Sequence, residues 1–472
     1  MRIKGAPARR IPLILVIGLV LALCITGPLR IGFLSDDFDL LHRGASLGPF
    51  DPIDFHHYAP VLNGLYHLTA AGILTPLGWH LLTMVTHLLN ILLVYRLCKG
   101  PFTLEPWSAF TVTALFAFNP AGYEALAWAC SICYPLLALI LLVALRLVLE
   151  QPFDRPGLGW SLAACQFLAI LVWDWGILCL PMVFLAMVLH PSGNRPVAKR
   201  AVSLMWPVCL ALGLVMVFKK VIGYRAGYGD PMSLIRTAYL IVSSPVRVLL
   251  PNSQGDSFKM PAGLALAALM LAAMALLGRR DRTARLAALL YMLFQVPYAL
   301  FGAVQSRYFY LPTFFMALVM VKALIFPRKA GWYGVRVERW MMMALVAMHL
   351  LWAVQRGCWW RNAFEQALEI KAAILTLPDT GAGLVIVNLT DHYGPPDLMS
   401  PPYVWRNGIR DIGRAIQRVQ TPGAPNTWAA GPIPTLERAR IAVEFAGYDL
   451  YEVRHRAGDW REYEVVPFKE DN

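Results

Sequence analysis

Long apolar runs recur along the chain and constrain its fold more than any other feature. Each is 16 to 20 residues long, and polar or Gly/Pro segments separate them. The runs lie near 11–30, 78–97, 106–122, 129–148, 158–173, 176–191, 201–219, 261–278, 284–302, 309–327 and 339–356. Because the hydrocarbon core of a bilayer is ~30 Å thick, a helix needs about 20 apolar residues to cross it. We therefore expect an all-α polytopic membrane protein with about eleven transmembrane helices.

The composition supports a bilayer as the solvent. Hydrophobic residues make up 58% of the chain and charged residues 15%, which is more apolar surface than a water-soluble fold could bury. This excludes a cytosolic enzyme, a disordered protein and a disulfide-stapled secreted module. The net charge of +13 could suggest nucleic acid. In a membrane chain, however, basic residues mark the cytoplasmic ends of the spans, so no nucleic-acid partner is expected.

Basic residues fall in alternate connections, which predicts the orientation of the chain. The connections expected in the cytoplasm contain Arg96, Lys99, Arg146, Arg155, Arg195, Lys199, Arg200, Arg279, Arg280, Arg282, Arg285, Arg328, Lys329, Arg336 and Arg339. The short turns near 119–129 and 174–176 contain no Lys or Arg. By the positive-inside rule the N-terminus lies inside, the first run is an uncleaved anchor, and the tail from about 357 lies outside. We expect a bacterial inner membrane protein.

The tail is more polar than the rest of the chain. Strand-like segments occur at 384–389, 441–446, 450–454 and 462–467, with an arginine-striped helix near 406–419 between them. The sequence therefore predicts a membrane domain at 1–357 and a small extracytoplasmic α/β domain at 358–472. We expect the second domain either to recognise an acceptor or to shape the mouth of a cavity.

Cysteine and histidine residues give little indication of a metal site. Cys130 and Cys133 form a C-x-x-C pair at a helix mouth, which we interpret as helix packing. The histidines that follow the first span match no familiar ligand spacing. His87 and Asn90 lie one turn apart within a span, which favours interhelical hydrogen bonds. Whether a divalent cation takes part is left open.

Carboxylates and basic side chains are concentrated in the predicted outer connections. They include Asp36, Asp37, Glu124, Asp174, Lys219, Lys220, Arg225 and Arg307. Charges at membrane depth are costly and usually face a cavity, so their convergence predicts one site at the outer boundary. Adjacent carboxylates can supply a general base, and basic residues can neutralise a phosphate leaving group. This inventory suits the transfer of a group from a lipid-carried phosphate to an acceptor hydroxyl.

Four motifs occur in order along the first 330 residues. They are LSDDFDLL after the first span, H-x-x-N from His87, N-P-x-x-x-E-x-x-x-W from Asn119, and SRYFYLP from Ser306. Together they resemble the GT-C superfamily of integral-membrane glycosyltransferases that use polyprenyl-phosphate sugars. Protein O-mannosyltransferases and bacterial aminoarabinose or glucosyl transferases belong to that superfamily.

The resemblance implies which residues are catalytic and which bind the donor. Asp36 would activate the acceptor hydroxyl, with Asp37 as a helper or metal ligand. Glu124 and Asp174 would line the same cavity.

The same resemblance implies that Arg307 holds the donor phosphate, with Tyr308 and Tyr310 beside it. Two positions depart from the family pattern: Ala59 replaces a frequent Arg, and Ser306 a frequent Glu. The phosphate clamp is then one contact short unless Arg43, Lys219 or Lys220 substitutes.

The sequence thus predicts an inverting glycosyltransferase that transfers a sugar from a polyprenyl-phosphate donor to an acceptor hydroxyl outside the membrane. The acceptor is a glycan, a lipid or a protein. One alternative is a transporter or flippase of a lipid-linked saccharide that performs no transfer chemistry. Another is a polymerase or ligase that uses a diphosphate-linked glycan. The sugar is not indicated.

Overall fold

The computed structural model describes most of the membrane region and parts of the tail. The described residues are 11–33, 48, 59–191, 198–221, 234–249, 261–300, 306–329, 331, 333–375, 384–387, 427–429, 449–455 and 463–467. Three predicted site residues, Asp36, Asp37 and Arg225, lie outside them. So do the predicted strand at 441–446 and the predicted helix near 406–419.

Helices dominate the described residues. In chain order they are α1 (Ile11–Thr26), α2 (Pro60–Ala70), α3 (Pro76–Lys99), α4 (Pro106–Ala117), α5 (Glu124–Ala127), α6 (Cys133–Glu150), α7 (Leu158–Val172), α8 (Cys179–Val188), α9 (Ala198–Val221), α10 (Leu234–Leu249), α11 (Pro261–Arg280), α12 (Arg282–Leu300), α13 (Pro312–Lys329) and α14 (Val335–Leu375). Short 3₁₀ turns occur at Pro28–Arg30, Pro120–Gly122, Ala129–Ile132, Asp174–Leu178 and Ser306–Phe309.

Proline sets several helix starts. Pro60, Pro76 and Pro106 each occupy the first turn of their helix, where the missing N–H costs no hydrogen bond. At α3 the hydroxyl of Thr75 also caps the helix by accepting from the backbone N–H of Gly78 at 3.2 Å. Two of these three helices, α3 and α4, match the predicted spans 78–97 and 106–122 and begin within about two residues of them.

Among the described residues, four helical segments are long and apolar enough to cross a bilayer. They are Pro76–Lys99, Ala129–Glu150, Ala198–Val221 and Val335–Glu369. Shorter apolar helices occur at Ile14–Arg30, Leu158–Val172, Asp174–Val188 and Pro312–Pro327. The architecture of the described region is thus that of a helical membrane protein, and the count of about eleven spans stays a prediction.

The core of the helical region is formed by large side chains from several helices. Trp79, Trp128, Tyr291, Phe314 and Trp360 are almost fully buried within it. Helix α14 packs against this core and continues to Leu375, so it passes through the predicted domain boundary at residue 357. The division into two domains stays a prediction.

The described part of the tail contains a four-stranded sheet in the order β2-β1-β3-β4. Its strands are β1 (Leu384–Val387), β2 (Thr427–Ala429), β3 (Asp449–His455) and β4 (Tyr463–Pro467). β1 is parallel to β2 and β3, and β3 is antiparallel to β4. The strands predicted at 384–389, 450–454 and 462–467 are present, whereas β2 was not predicted. The α/β character of the tail as a whole stays a prediction.

Candidate functional site

A buried ion pair joins two of the motifs. Glu124 begins α5, just after the 3₁₀ turn Pro120–Gly122, and Arg307 lies on the 3₁₀ turn that precedes α13. The guanidinium of Arg307 donates from Nη1 to Oε1 of Glu124, and the backbone N–H of Arg307 donates to Oε2 at 3.3 Å. The Glu124 side chain is 4% exposed and that of Arg307 14%. Because both carboxylate oxygens contact one residue, the orientation of the arginine is defined.

Aromatic rings surround this arginine. The Arg307 guanidinium carbon lies 4.8 Å from the centre of the Trp128 ring and 5.3 Å from that of Tyr308. A guanidinium over an aromatic face is stabilised by a cation–π interaction. Trp128 and Glu124 come from the same motif, so one segment supplies both the carboxylate and one of the rings.

A second ion pair connects α9 with the turn that follows α7. Lys219 donates from Nζ to Oδ1 of Asp174, and both side chains are largely buried. Gly176 shapes this turn: its carbonyl accepts from Nε2 of Gln166 at 3.0 Å. A Cβ atom at Gly176 would overlap the carbonyl group of Ala169. The sequence W-D-W-G therefore lets the chain turn back closely enough to place Asp174.

Ring contacts connect the two ion pairs. The Tyr134 ring lies 5.9 Å from that of Trp173, the neighbour of Asp174. It also lies 5.7 Å from the ring of Tyr308, the neighbour of Arg307. The Tyr134 ring thus contacts one residue adjacent in sequence to each ion pair.

Tyr310 follows Arg307 by three residues, and its side chain is directed towards α3. Its hydroxyl is 2.6 Å from Nδ1 of His87 and accepts from Nδ2 of Asn90 at 3.1 Å. Asn90 also donates to the carbonyl of Pro135 in α6 at 2.9 Å, which confirms interhelical hydrogen bonding for the H-x-x-N motif. The Tyr310 ring packs against Gly122, where a Cβ atom would lie 3.4 Å away.

Those predicted site residues that the structure describes form three groups. The first contains the paired residues: Glu124 with Arg307, which precedes Tyr308, and Asp174 with Lys219. Tyr310 is buried, with its hydroxyl engaged by α3. Lys220 is exposed at the end of α9.

Arg356 is a charged neighbour of the site that the sequence analysis did not identify. It is 2% exposed on α14, and its guanidinium carbon lies 5.3 Å from the centre of the Trp359 ring. It is close enough to Glu124 to interact with the carboxylate electrostatically. Its only signal in the sequence is a single charge at the end of the run 339–356, which is equally typical of a span-end anchor.

The surrounding turns of α14 pack on the Glu124 segment. A Cβ atom on Gly357 would lie 2.7 Å from the hydroxyl of Tyr123, so a glycine allows this close approach. One turn further, the Trp360 ring is 6.4 Å from the ring of Trp128. Helix α14 is therefore one wall of the site.

Potential metal ligands are not grouped in the described part of the chain: no set of three or more His, Cys, Asp or Glu side chains is placed to hold an ion. The Cys133 thiol points to the carbonyl of Cys130 at 3.7 Å. The first-loop acids Asp36 and Asp37 lie outside the described residues, so the choice between a metal-assisted and a metal-free site stays open.

Comparisons with known proteins give structural matches alone. No family model matches the sequence, and no curated protein matches it either. ArnT from Cupriavidus metallidurans bound to undecaprenyl phosphate is similar, with 13% identity and a TM-score of 0.49 over 94% of this chain and 93% of that one. The apo state of the same protein gives 13% identity and a TM-score of 0.47 over the same shares.

An Archaeoglobus fulgidus oligosaccharyltransferase in complex with zinc and sulfate is also similar. The identity is 12% and the TM-score 0.49, over 94% of this chain and 68% of that one. At these identities and scores, the function has to be argued from the chain's own residues.

Proposed function

We propose that this chain is an integral-membrane glycosyltransferase that transfers a sugar from a polyprenyl-phosphate donor to an acceptor hydroxyl. We place the reaction on the outer face of a bacterial inner membrane, with inversion at the anomeric carbon. The motif resemblance supports the reaction class. The buried Glu124–Arg307 pair is the observation that carries the proposal.

Arg307 is suited to hold a phosphate. Glu124 and the ring of Trp128 fix its guanidinium before any ligand arrives, so a bound phosphate does not have to order the side chain itself. Arginine binds phosphate oxygens through two parallel hydrogen bonds, which adds direction to the charge attraction. As the bond from sugar to phosphate breaks, negative charge on the phosphate grows, and a cation already in place stabilises it.

Lys219 provides a second cation. Asp174 holds its ammonium in the way that Glu124 holds Arg307. Each acid thus orients a basic side chain in a largely buried place. In this proposal the donor phosphate contacts both Arg307 and Lys219, and Lys219 supplies the contact that is missing because of Ala59.

The acceptor hydroxyl needs a base, and the first outer loop would supply it. Asp36 would take the proton as the acceptor oxygen attacks the anomeric carbon, and Asp37 would support it. A general base contributes about 10²–10⁴ in rate. One displacement from the face opposite the phosphate inverts the configuration.

The lipid carrier enters from the bilayer. A polyprenyl chain is apolar and stays in the membrane, so the donor diffuses sideways to a site at the outer boundary. The undecaprenyl phosphate in one matched structure belongs to that protein. For this chain, the carrier is inferred from the motifs and from the two held cations. The acceptor class, whether glycan, lipid or protein, is not part of the proposal.

The test uses the full chain in nanodiscs. Polyprenyl phosphate carrying labelled mannose, glucose or aminoarabinose is offered with extracted cell-envelope acceptors, and label transfer is measured. We expect transfer from one of these donors, a loss of at least about 100-fold in Asp36→Asn, and weaker donor binding in Arg307→Gln. Arg146→Gln is the matched control, because Arg146 forms an exposed ion pair with Glu150 at 2.6 Å.

Two outcomes would count against the proposal at different levels. Unchanged transfer in Asp36→Asn together with unchanged donor binding in Arg307→Gln would remove both residues from the mechanism. Movement of the labelled lipid between leaflets with no transfer to any acceptor would overturn the function itself and establish the transporter alternative.

A further inference from the structure

Four arginines gather at one end of the hairpin that α11 and α12 form. Helix α11 ends at Arg280 and α12 begins at Arg282, so Asp281 alone links them. Arg279, Arg280 and Arg282 are exposed, and Arg285 is half-buried. The positive-inside pattern predicts that this end faces the cytoplasm. None of these residues belongs to the proposed transferase site.

The hairpin holds this charge in a defined place. Arg285 donates from Nε to the carbonyl of Gly278 at 2.5 Å and from Nη2 to that of Arg279 at 3.1 Å, which caps the end of α11. A Cβ atom on Gly278 would lie 3.3 Å from the Cα of Arg285, so the two helices approach closely here. The carboxylate of Asp281 pairs with Lys322 of α13 at 2.9 Å. The carboxylate of the turn between α11 and α12 is therefore paired with a lysine of α13.

One apolar groove lies between α11 and α12 and runs up to the arginines. Its volume is about 330 Å³, within the range of ligand-binding cavities. Met274, Ala288 and Met292 contribute to its walls, and Arg279 and Arg285 close its polar end.

A second groove lies on another face of α11, against α13. Its volume is about 410 Å³, and Leu276, Ala323 and Phe326 contribute to its walls. Arg280 lines it as well, with its guanidinium carbon 5.1 Å from the centre of the Phe326 ring. Two apolar grooves therefore flank one helix, and each contains an arginine from the same helix end.

We propose that this end of α11 binds one anionic glycerophospholipid, with its phosphate on Arg279 and Arg280 and its acyl chains in the two grooves. Adjacent arginines on neighbouring faces of a helix can contact one phosphate from two sides, and guanidinium groups bind phosphate through paired hydrogen bonds. The apolar walls offer the acyl chains a surface of matching chemistry. Basic pockets between transmembrane helices on the cytoplasmic side are known to suit anionic headgroups.

The alternative interpretation is that these arginines extend into the lipid headgroup layer as nonspecific anchors and bind no particular lipid. The two interpretations differ in a measurable way. If the arginines are nonspecific anchors, lipid binding depends on the number of exposed arginines, wherever in the protein they lie. If there is a specific site, lipid binding depends on Arg279, Arg280 and the two grooves beside them.

The test counts bound lipid on the purified full chain. The protein is delipidated in a neutral detergent, titrated with phosphatidylglycerol or phosphatidylcholine, and examined by native mass spectrometry. We expect phosphatidylglycerol to bind at least tenfold more tightly than phosphatidylcholine. In the double variant Arg279→Gln/Arg280→Gln its affinity should fall about 25-fold, since one arginine near an anionic lipid contributes about fivefold.

Two further variants make the test specific. Arg336→Gln/Arg339→Gln removes the same charge from exposed arginines in the first turns of α14 and should leave phosphatidylglycerol binding unchanged. Ala275→Phe adds a ring at an exposed position in the wall of the first groove and should weaken binding at least fivefold without lowering the melting temperature. Equal binding of the two lipids, equal loss in the two double variants, or full binding in Ala275→Phe would each overturn the proposal.

Discussion

The hydroxyl of Tyr310 lies 2.6 Å from Nδ1 of His87, although 223 positions separate the two residues along the chain. Asn90, one turn further along α3, donates to the same hydroxyl. The ring of Tyr310 rests on Gly122, two residues before Glu124. One side chain thus connects α3 to both segments that supply the Glu124–Arg307 pair. Tyr310 therefore positions the pair from inside the helical region.

The first prediction follows from this connection. Tyr310→Phe keeps the ring packing but removes the hydroxyl, so Nδ1 of His87 loses its partner in a buried place. An unsatisfied buried polar group costs about 1–3 kcal/mol, and we expect the free energy of unfolding in detergent to fall by that amount. Tyr95→Phe, at a half-buried tyrosine on α3, the helix that carries His87, should change it by less than about 0.5 kcal/mol. Equal effects of the two variants would contradict the assignment.

The second prediction concerns the burial of the Glu124–Arg307 pair. Glu124→Gln removes the charge but keeps the shape, which leaves the Arg307 guanidinium buried without its carboxylate. Breaking a buried pair from one side costs about 3–5 kcal/mol. Glu150→Gln, in the exposed Arg146–Glu150 pair, should cost at most about 1 kcal/mol. Chemical unfolding of both variants measures the difference, and similar losses would show that Glu124 is solvated.

Arg356 is the subject of the third prediction. If this arginine orients Glu124, then Arg356→Gln should raise the KM for the lipid-linked donor about tenfold, equivalent to about 1.4 kcal/mol, with a smaller change in kcat. Arg356→Lys should restore part of this affinity, because it keeps the charge but lacks the planar fork of hydrogen-bond donors.

The control for Arg356 lies in the same helix. Arg361 pairs with Glu365 at 3.5 Å, and its side chain is 39% exposed, so Arg361→Gln should leave the KM unchanged. A purely structural role for Arg356 would lower the melting temperature in both of its variants without a selective change in KM.

Much of the helical framework could be predicted because a bilayer demands long apolar helices, and such runs are visible in a single sequence. The break at Asp174 was also visible, since W-D-W-G interrupts an apolar run with a charge and a glycine. The sequence predicts that Glu124, Asp174, Lys219 and Arg307 converge in one site; the structure pairs Glu124 with Arg307 and Asp174 with Lys219, and the convergence of the two pairs stays a prediction. The cation with which each carboxylate pairs was not predicted, because a contact between residues 183 positions apart leaves no pattern in the local sequence.

Other features could not be predicted for physical reasons. Arg356 has the pattern of an interfacial anchor, and its role depends on how α14 packs against Tyr123 and Trp128. Tyr310 was expected beside the donor phosphate, but a sequence motif does not indicate which way a ring points. The strand β2 is three residues long, too short for an alternating pattern to appear.

The last prediction tests the turn that places Asp174. A Cβ atom at Gly176 would overlap the Ala169 carbonyl, and backbone atoms cannot move aside as a flexible side chain can. Gly176→Ala should therefore cost about 1–3 kcal/mol of unfolding free energy. It should also weaken polyprenyl phosphate binding, because Asp174 can no longer hold Lys219 in place. Gly213→Ala is the matched control: no atom lies within 4 Å of its added Cβ, and alanine in the middle of α9 should stabilise the protein by about 0.5–1 kcal/mol. Opposite signs for the two glycines are the expected result, and a stabilised Gly176→Ala variant would show that the turn is looser than described.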